Sequence, residues 1–282
     1  MKYNFYVFSG SGNTDKFCRV MEKELVSMGN ECEYWLFRKG EKYPSFGECD
    51  AVVFGFPVHA FNAPAPVIEF LGKVPEGRGR RAYLAATSGE PLTLNDCAFS
   101  SAEKVLEEKG WRVCGEYRYV MPYNIIFRHS DGMAARMWRI AEANATKAAK
   151  EIAEGKIRLA EPKTRQKAVS AAFRIEHAAM PVIGRAFRAT DDCVGCGLCE
   201  RVCPQANIYM VDGRPAFGKN CVGCMGCAFS CPKNAIRTGL LDKWRVNGKY
   251  DFNAPPAADG EICRYLGKTY LKYFQKEESV LK

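Results

Sequence analysis

Over its first 155 residues the chain alternates short apolar runs with longer stretches that place an apolar residue every three or four positions. "YNFYVF" (3–8) is short enough for a buried strand, and a helical pattern follows it to Gly29, a natural helix stop. "ECEYWLF" (31–37), "AVVFGFP" (51–57), "RAYLAATSG" (81–89) and "WRVCGEYRYVMP" (111–122) read as further strands. "APVIEFLGKV" (65–74) and "LNDCAFSSAEKVLEEKG" (94–110) carry helical spacing between them. Strands alternating with helices predict an α/β domain whose parallel sheet is covered on both faces. In such sheets ligands bind beyond the carboxyl ends of the strands, where strand order reverses.

The pattern changes after this domain. Residues 156–189 hold eight Lys/Arg against two Glu, and "AVSAAFRIEHAAM" (168–180) predicts a helix ending at Pro181. We read this basic segment as a linker packed across two domains; its rival role is to bind an anionic partner or membrane surface. In 241–282, Ile262, Tyr265, Leu266, Tyr270, Tyr273 and Phe274 share one helical face, with Asp259 at the cap position. This predicts a C-terminal docking helix.

Residues 190–240 are organised by cysteine rather than by periodicity. "CVGCGLCERVCP" (193–204) and "CVGCMGCAFSCP" (221–232) repeat one pattern 28 residues apart, and 193–208 matches 221–236 at eight of sixteen positions. Zinc sites typically use two separated C-x-x-C pairs. Three cysteines at spacings of three, a fourth four residues on and then proline form the bacterial [4Fe–4S] pattern, in which the fourth cysteine serves the other cluster. One centre therefore takes Cys193, Cys196, Cys199 and Cys231, and the other Cys221, Cys224, Cys227 and Cys203. The remaining six cysteines (18, 32, 49, 97, 114 and 263) show no ligand spacing and read as small buried hydrophobes.

The loop Ser9, Gly10, Ser11, Gly12, Asn13, Thr14 follows the first predicted strand. The third glycine of a dinucleotide fingerprint would fall at Asp15, and no Gly-Lys-Ser/Thr of a Walker A loop follows. Small and hydroxyl residues at a helix N-terminus can wrap a phosphate without a lysine. A plain structural turn is the competing reading.

Residues 1–155 resemble a flavodoxin, whose phosphate loop is Ser/Thr-x-Thr-Gly-Asn-Thr; here Ser11 replaces the middle threonine and keeps the hydroxyl. Residues 190–240 resemble a bacterial two-cluster ferredoxin, and the order of the two resembles the fused flavodoxin–ferredoxin proteins of anaerobic microbes. The resemblance implies a flavodoxin-like doubly wound five-stranded sheet, order 2-1-3-4-5, beside a small α+β ferredoxin-like domain. It also implies FMN and two [4Fe–4S] clusters. The flavin ring would be held by Pro57, Val58, His59, Ala60, Phe61 and Asn62 and by Thr87, Ser88 and Gly89, with His59 or Phe61 against one face. For His59 the rival role is to cap the following helix. "TSGEPLTLND" offers no aromatic for the second face, which is then bare or covered by the other domain.

Charge and cysteine content limit the function classes. No run of about 18 apolar residues predicts a transmembrane helix. With no secretory signal after Met1-Lys2, fourteen cysteines point to thiols and metal ligands in a reducing cytoplasm. The formal charge of +9 falls to roughly +3 once two clusters and an FMN phosphate are counted, which removes most of the case for nucleic acid. We expect an electron-transfer protein coupling the clusters to the FMN, with no catalytic acid or base and with redox proteins bearing acidic docking surfaces as partners. Basic surroundings are expected to favour an anionic reduced flavin. The alternatives are an FMN-dependent reductase of a quinone or other small acceptor, and an iron–sulfur sensor or binding module.

Overall fold

The computed structural model describes residues 1–38, 49–262 and 265–281. The first domain runs β1 (Lys2–Val7), α1 (Asn13–Ser27), β2 (Glu31–Leu36), β3 (Ala51–Pro57), α2 (Ala65–Lys73), β4 (Arg81–Ser88), α3 (Cys97–Glu108), β5 (Arg112–Val120) and α4 (Asp131–Ala153). All four strand pairings are parallel, in the order β2-β1-β3-β4-β5. This is the flavodoxin-like doubly wound order, whose ligand crevice opens where β1 and β3 send their chains to opposite faces.

The strands read as continuous apolar runs because both faces are buried. Alternate residues of β1 divide between two cores: Tyr3, Phe5 and Val7 pack with Phe17, Met21 and Leu25 of α1 and Trp138 and Ala145 of α4. Tyr6 and Phe8 pack with Leu71 of α2 and Phe99 and Leu106 of α3. The period-2 alternation of side chains makes this division inevitable. Helix α4 lies where the alternating pattern named no element; Ser130 caps it by accepting from the Met133 N–H at 3.1 Å.

Two helices, α5 (Thr164–Phe173) and α6 (Ile175–Ile183), occupy the basic segment. Pro181 does not end the helix as expected: α6 runs through it to Ile183 and gives up one intrahelical hydrogen bond at that position. The chain leaves α6 at Gly184, where a Cβ would sit 2.1 Å from the Cys221 Cβ. The linker thus packs onto the second cysteine run as well as onto the first domain.

The cysteine-rich domain contains β6 (Arg188–Ala189), α7 (Leu198–Arg201), β7 (Ile208–Val211), β8 (Arg214–Phe217), α8 (Gly226–Ser230) and β9 (Ile236–Arg237). β6 pairs antiparallel with β9, and β7 with β8 through an Asp212-Gly213 turn with both φ positive. The last helix, α9 (Gly267–Glu277), packs Tyr270 and Phe274 against Met133, Met137 and Ile140 of α4. Asp259 does not cap it: the helix starts after Leu266, in the left-handed region, and Asp259 instead meets the Arg136 guanidinium at 2.8 Å. Cys263, a notable position in the sequence, lies outside the described residues.

Candidate functional site

A cavity of about 530 Å³ opens beyond the carboxyl ends of β1, β3 and β4. Ser9, Gly10, Ser11, Asn13 and Thr14 form one wall, and Pro57, Val58, His59, Ala60, Phe61, Thr87, Ser88 and Gly89 form another. Of the residues singled out from sequence, only Gly12 and Asn62 stand outside its lining. Gly12 precedes α1 with φ +96°, so it shapes the turn through its backbone. The Asn62 amide instead turns toward α5, donating to the Ala60 and Ser170 carbonyls at 2.7 and 2.8 Å.

The loop walls are held from behind. Thr14 Oγ1 and Thr87 Oγ1 share a 2.8 Å hydrogen bond, and Asn13 Nδ2 donates to the Pro122 carbonyl at 2.8 Å. His59 and Asn62 exchange two backbone hydrogen bonds around Ala60 and Phe61, whose φ values of 46° and 61° make a tight turn without glycine. Such residues cost of order 1–2 kcal/mol each, so something must hold them. The linker does: Ser170 Oγ lies 3.0 Å from both the Phe61 carbonyl and Asn62 Oδ1 and shares its one hydrogen between them, Arg174 Nε donates to the same Oδ1, and Phe173 packs edge-on to Phe61. Burial, with His177 nearby, pushes His59 down to about 4, so its ring is neutral at neutral pH.

The remaining walls come from regions that periodicity did not connect to the site. Tyr123 and Asn124 arrive from the loop after β5, Glu176, Met180 and Ile183 from α6, and Leu241, Trp244 and Tyr265 from beyond the second cysteine run. Tyr123, Trp244 and Tyr265 thus bring to the cavity the aromatic rings that "TSGEPLTLND" lacks. Tyr123 packs against Gly89, where a Cβ would fall 2.1 Å from its ring, and its hydroxyl donates to Glu90. The expected basic surroundings are absent: the charged side chains among the described lining residues are Glu90 and Glu176, with no Lys or Arg.

The cysteines of the two runs line two cavities. Cys193, Cys196, Cys199 and Cys231 line one cavity; Cys203, Cys221, Cys224 and Cys227 line another. No described cysteine forms a disulfide. The internal repeat survives in the hydrogen bonding, since the Asn207 and Ala235 N–H groups donate to Cys203 Sγ and Cys231 Sγ, each at 3.3 Å. Burial pushes the Cys224 thiol up to about 12 and raises Cys199, Cys221 and Cys227 too. Thiolates there need a compensating positive core, which is the condition a metal cluster meets. Among the described residues no three His, Cys, Asp or Glu are arranged to hold a single metal ion. A lone zinc would need its sulfurs at about 2.3 Å from one point. Four thiols ringing a cavity suit a larger inorganic core instead.

The loop cavity and the second cysteine cavity share a wall, with Cys224 lining both. A Cβ on Gly10 would fall 2.7 Å from Cys224 Cβ, and one on Gly226 would fall 2.4 Å from the Gly10 carbonyl oxygen. Asn124 Nδ2 donates both to Ser11 Oγ (3.2 Å) and to the Cys224 carbonyl (2.9 Å).

Residues 189–209 match the model of the 4Fe-4S binding domain family. No curated protein matches the chain. Among solved structures it is similar to a flavodoxin of Streptococcus pneumoniae, at 12% identity over 55% of this chain and 99% of that one, with a TM-score of 0.41. A flavodoxin mutant from Pseudomonas aeruginosa gives 16% identity, 55% and 98% coverage and a TM-score of 0.40. A flavone reductase is similar at 16% identity over 77% of this chain and 80% of that one, with a TM-score of 0.37.

Proposed function

We propose that the chain is an electron-transfer flavoprotein holding one FMN in the loop cavity and two [4Fe–4S] clusters in the cysteine cavities. The observation that carries this reading is the contact between the two sites: Gly10 of the phosphate loop lies against Cys224 of the second cysteine group. A cofactor on either side of that contact has only the thickness of one loop to cross.

The donor chemistry fits each group. Hydroxyls, amides and the N-terminus of the 15-residue α1 converge where a phosphate would lie, without a cation. When bound, FMN supplies a one- or two-electron acceptor and the clusters supply one-electron carriers; the protein sets position and potential. No residue is assigned acid–base work. In this reading electrons enter at the first centre, where Cys196 is exposed and Val194 is 61% exposed, from a redox protein whose acidic surface meets Arg201 and Lys233.

A second reading has one observation in its favour. Met180, Ile183, Leu241 and Trp244 give the cavity an apolar wall that the first domain does not contribute, a surface suited to a small planar acceptor. An FMN-dependent reductase would use it. Contact between the two sites speaks against a sensor whose clusters stand remote from the flavin.

Anaerobic purification with cofactor analysis tests the main reading. It expects about eight iron, about eight sulfide and one FMN per chain. Zinc, FAD or an absent flavin would overturn the assignment. Turnover of a soluble quinone by the reduced protein, measured beside reduction of a partner protein, separates the carrier from the reductase.

A further inference from the structure

The geometry points to Asn124 as the positioning residue that sets electron passage between the second cysteine centre and the flavin loop; we propose that its two hydrogen bonds fix that junction. The inference rests on the cofactor reading above and adds a role that none of the predicted ligand residues has.

Asn124 lies in the loop after β5 and lines the cavity. A carboxamide nitrogen carries two hydrogens, and here both have partners on different sides of the junction: Ser11 Oγ at 3.2 Å and the Cys224 carbonyl at 2.9 Å. The first belongs to the loop read as holding the phosphate. The second is the backbone of a residue read as a cluster ligand. No aliphatic, hydroxyl or carboxylate side chain of this size donates in two directions at once.

The loop that carries Asn124 is anchored independently on both halves of the molecule. Asn13 Nδ2 bonds to the Pro122 carbonyl on the flavin side. On the other side the Ile126 N–H donates to the Trp244 carbonyl at 2.7 Å, and Arg128 donates to the Gly248 and Lys249 carbonyls. Removing the Asn124 amide therefore leaves the loop attached while freeing Cys224 from Ser11. A dipole donated to a ligand's backbone also bears on the cluster's potential, because hydrogen bonding around the sulfurs is one of the protein's levers on it.

Asn124→Asp and Asn124→Ala, made in the full chain and purified anaerobically with cofactors, test the proposal. The aspartate keeps the shape but can only accept: it reverses the bond to Ser11, taking the one hydroxyl proton that could otherwise serve a phosphate, and it turns an acceptor toward the Cys224 carbonyl. The alanine loses both bonds. After flash photoreduction, both variants are expected to show a first-order cluster-to-flavin rate at least about fivefold below the unsubstituted protein, the factor one hydrogen bond supports. FMN affinity should fall in both variants, and further in Asn124→Asp, whose carboxylate takes the Ser11 proton and sets a negative charge beside the phosphate loop. Redox titration by electron paramagnetic resonance should move the second centre's potential downward in Asn124→Asp and leave the first unchanged.

A rate within about twofold of the unsubstituted protein in both variants, at full cofactor content, overturns the proposal. So does loss of both centres in both variants, which would make Asn124 a general folding residue. If the unsubstituted protein itself lacks FMN or clusters, the functional reading fails instead.

Discussion

Gly10→Ala offers the sharpest test of the contact between the two sites. The backbone at Gly10 is not in the left-handed region, so an added methyl group brings no backbone strain of its own. Its cost comes from Cys224, whose Cβ, Sγ and carbonyl oxygen would lie 2.7, 2.8 and 3.1 Å away. Carbon contacts are comfortable at about 3.5–4.0 Å, so the two loops must part by roughly 1 Å. Neither side yields easily: across the junction Gly226 already faces the Gly10 carbonyl, and Asn124 ties Ser11 to Cys224. Overpacking of this kind costs about 1–3 kcal/mol, or roughly 2–4 °C of melting temperature per kcal/mol in chains of comparable size. Gly12→Ala is the control, because its φ of +96° penalises any side chain while nothing lies within 4 Å of the new methyl group. Differential scanning calorimetry and flash photoreduction should show both variants destabilised but only Gly10→Ala slowed in cluster-to-flavin transfer. If Gly10→Ala transfers electrons as fast as Gly12→Ala, the loops do not meet as described.

Two further outcomes follow from the geometry. Cys203→Ala should abolish the spectroscopic signature of the centre that includes Cys221, Cys224 and Cys227, whereas Cys231→Ala should abolish the other; the reverse result would refute the crossed arrangement. Glu116 on β5 accepts the Ala160 N–H at 2.7 Å through Oε2, leaves Oε1 without a partner, and is pushed up to about 8 by burial. Because its folded pKa lies above the unfolded one, its contribution is full below about pH 4.5 and is lost as pH rises toward 8. Glu116→Gln should therefore be no more stable than the unsubstituted protein at pH 5 and roughly 1–3 kcal/mol more stable at pH 8.5, as urea melts would show. Equal pH slopes in the two proteins would remove Glu116 as the cause.

Sequence legibility tracked how local each cause was. The five strands stood out because burial on two faces leaves uninterrupted apolar runs, and β3 begins and ends at the residues the pattern named. The cysteine repeat stood out because ligand spacing is a local constraint. What escaped depended on tertiary contact alone. Nothing near Asn124 in sequence says that its amide meets Ser11 and Cys224, 113 and 100 residues away. Trp244 and Tyr265 reach the cavity only because the chain returns to it after the second cysteine run. Asn62 was grouped with its neighbours as a ring contact, but Ser170 and Arg174 draw its amide away. At Asp259 a sound local rule lost to an ion pair with Arg136.

The distribution of charge completes the picture of the site. The linker's surplus of cations suggested a flavin set among positive groups, yet those side chains are used elsewhere. Arg174 serves the Asn62 side chain, Arg158 meets Glu151, and Arg165 and Lys167 face solvent on α5. The cavity keeps Glu90 and Glu176 as its charged lining, beside a His59 ring held neutral by burial. A phosphate is favoured at one end by the N-terminus of α1 and neutral donors, while the carboxylates in the lining disfavour added negative charge on a bound ring. With FMN bound as proposed, that combination would hold the cofactor by its phosphate and make its ring harder to reduce. A cluster bound as proposed in the second cysteine group would stand one loop away from such an acceptor.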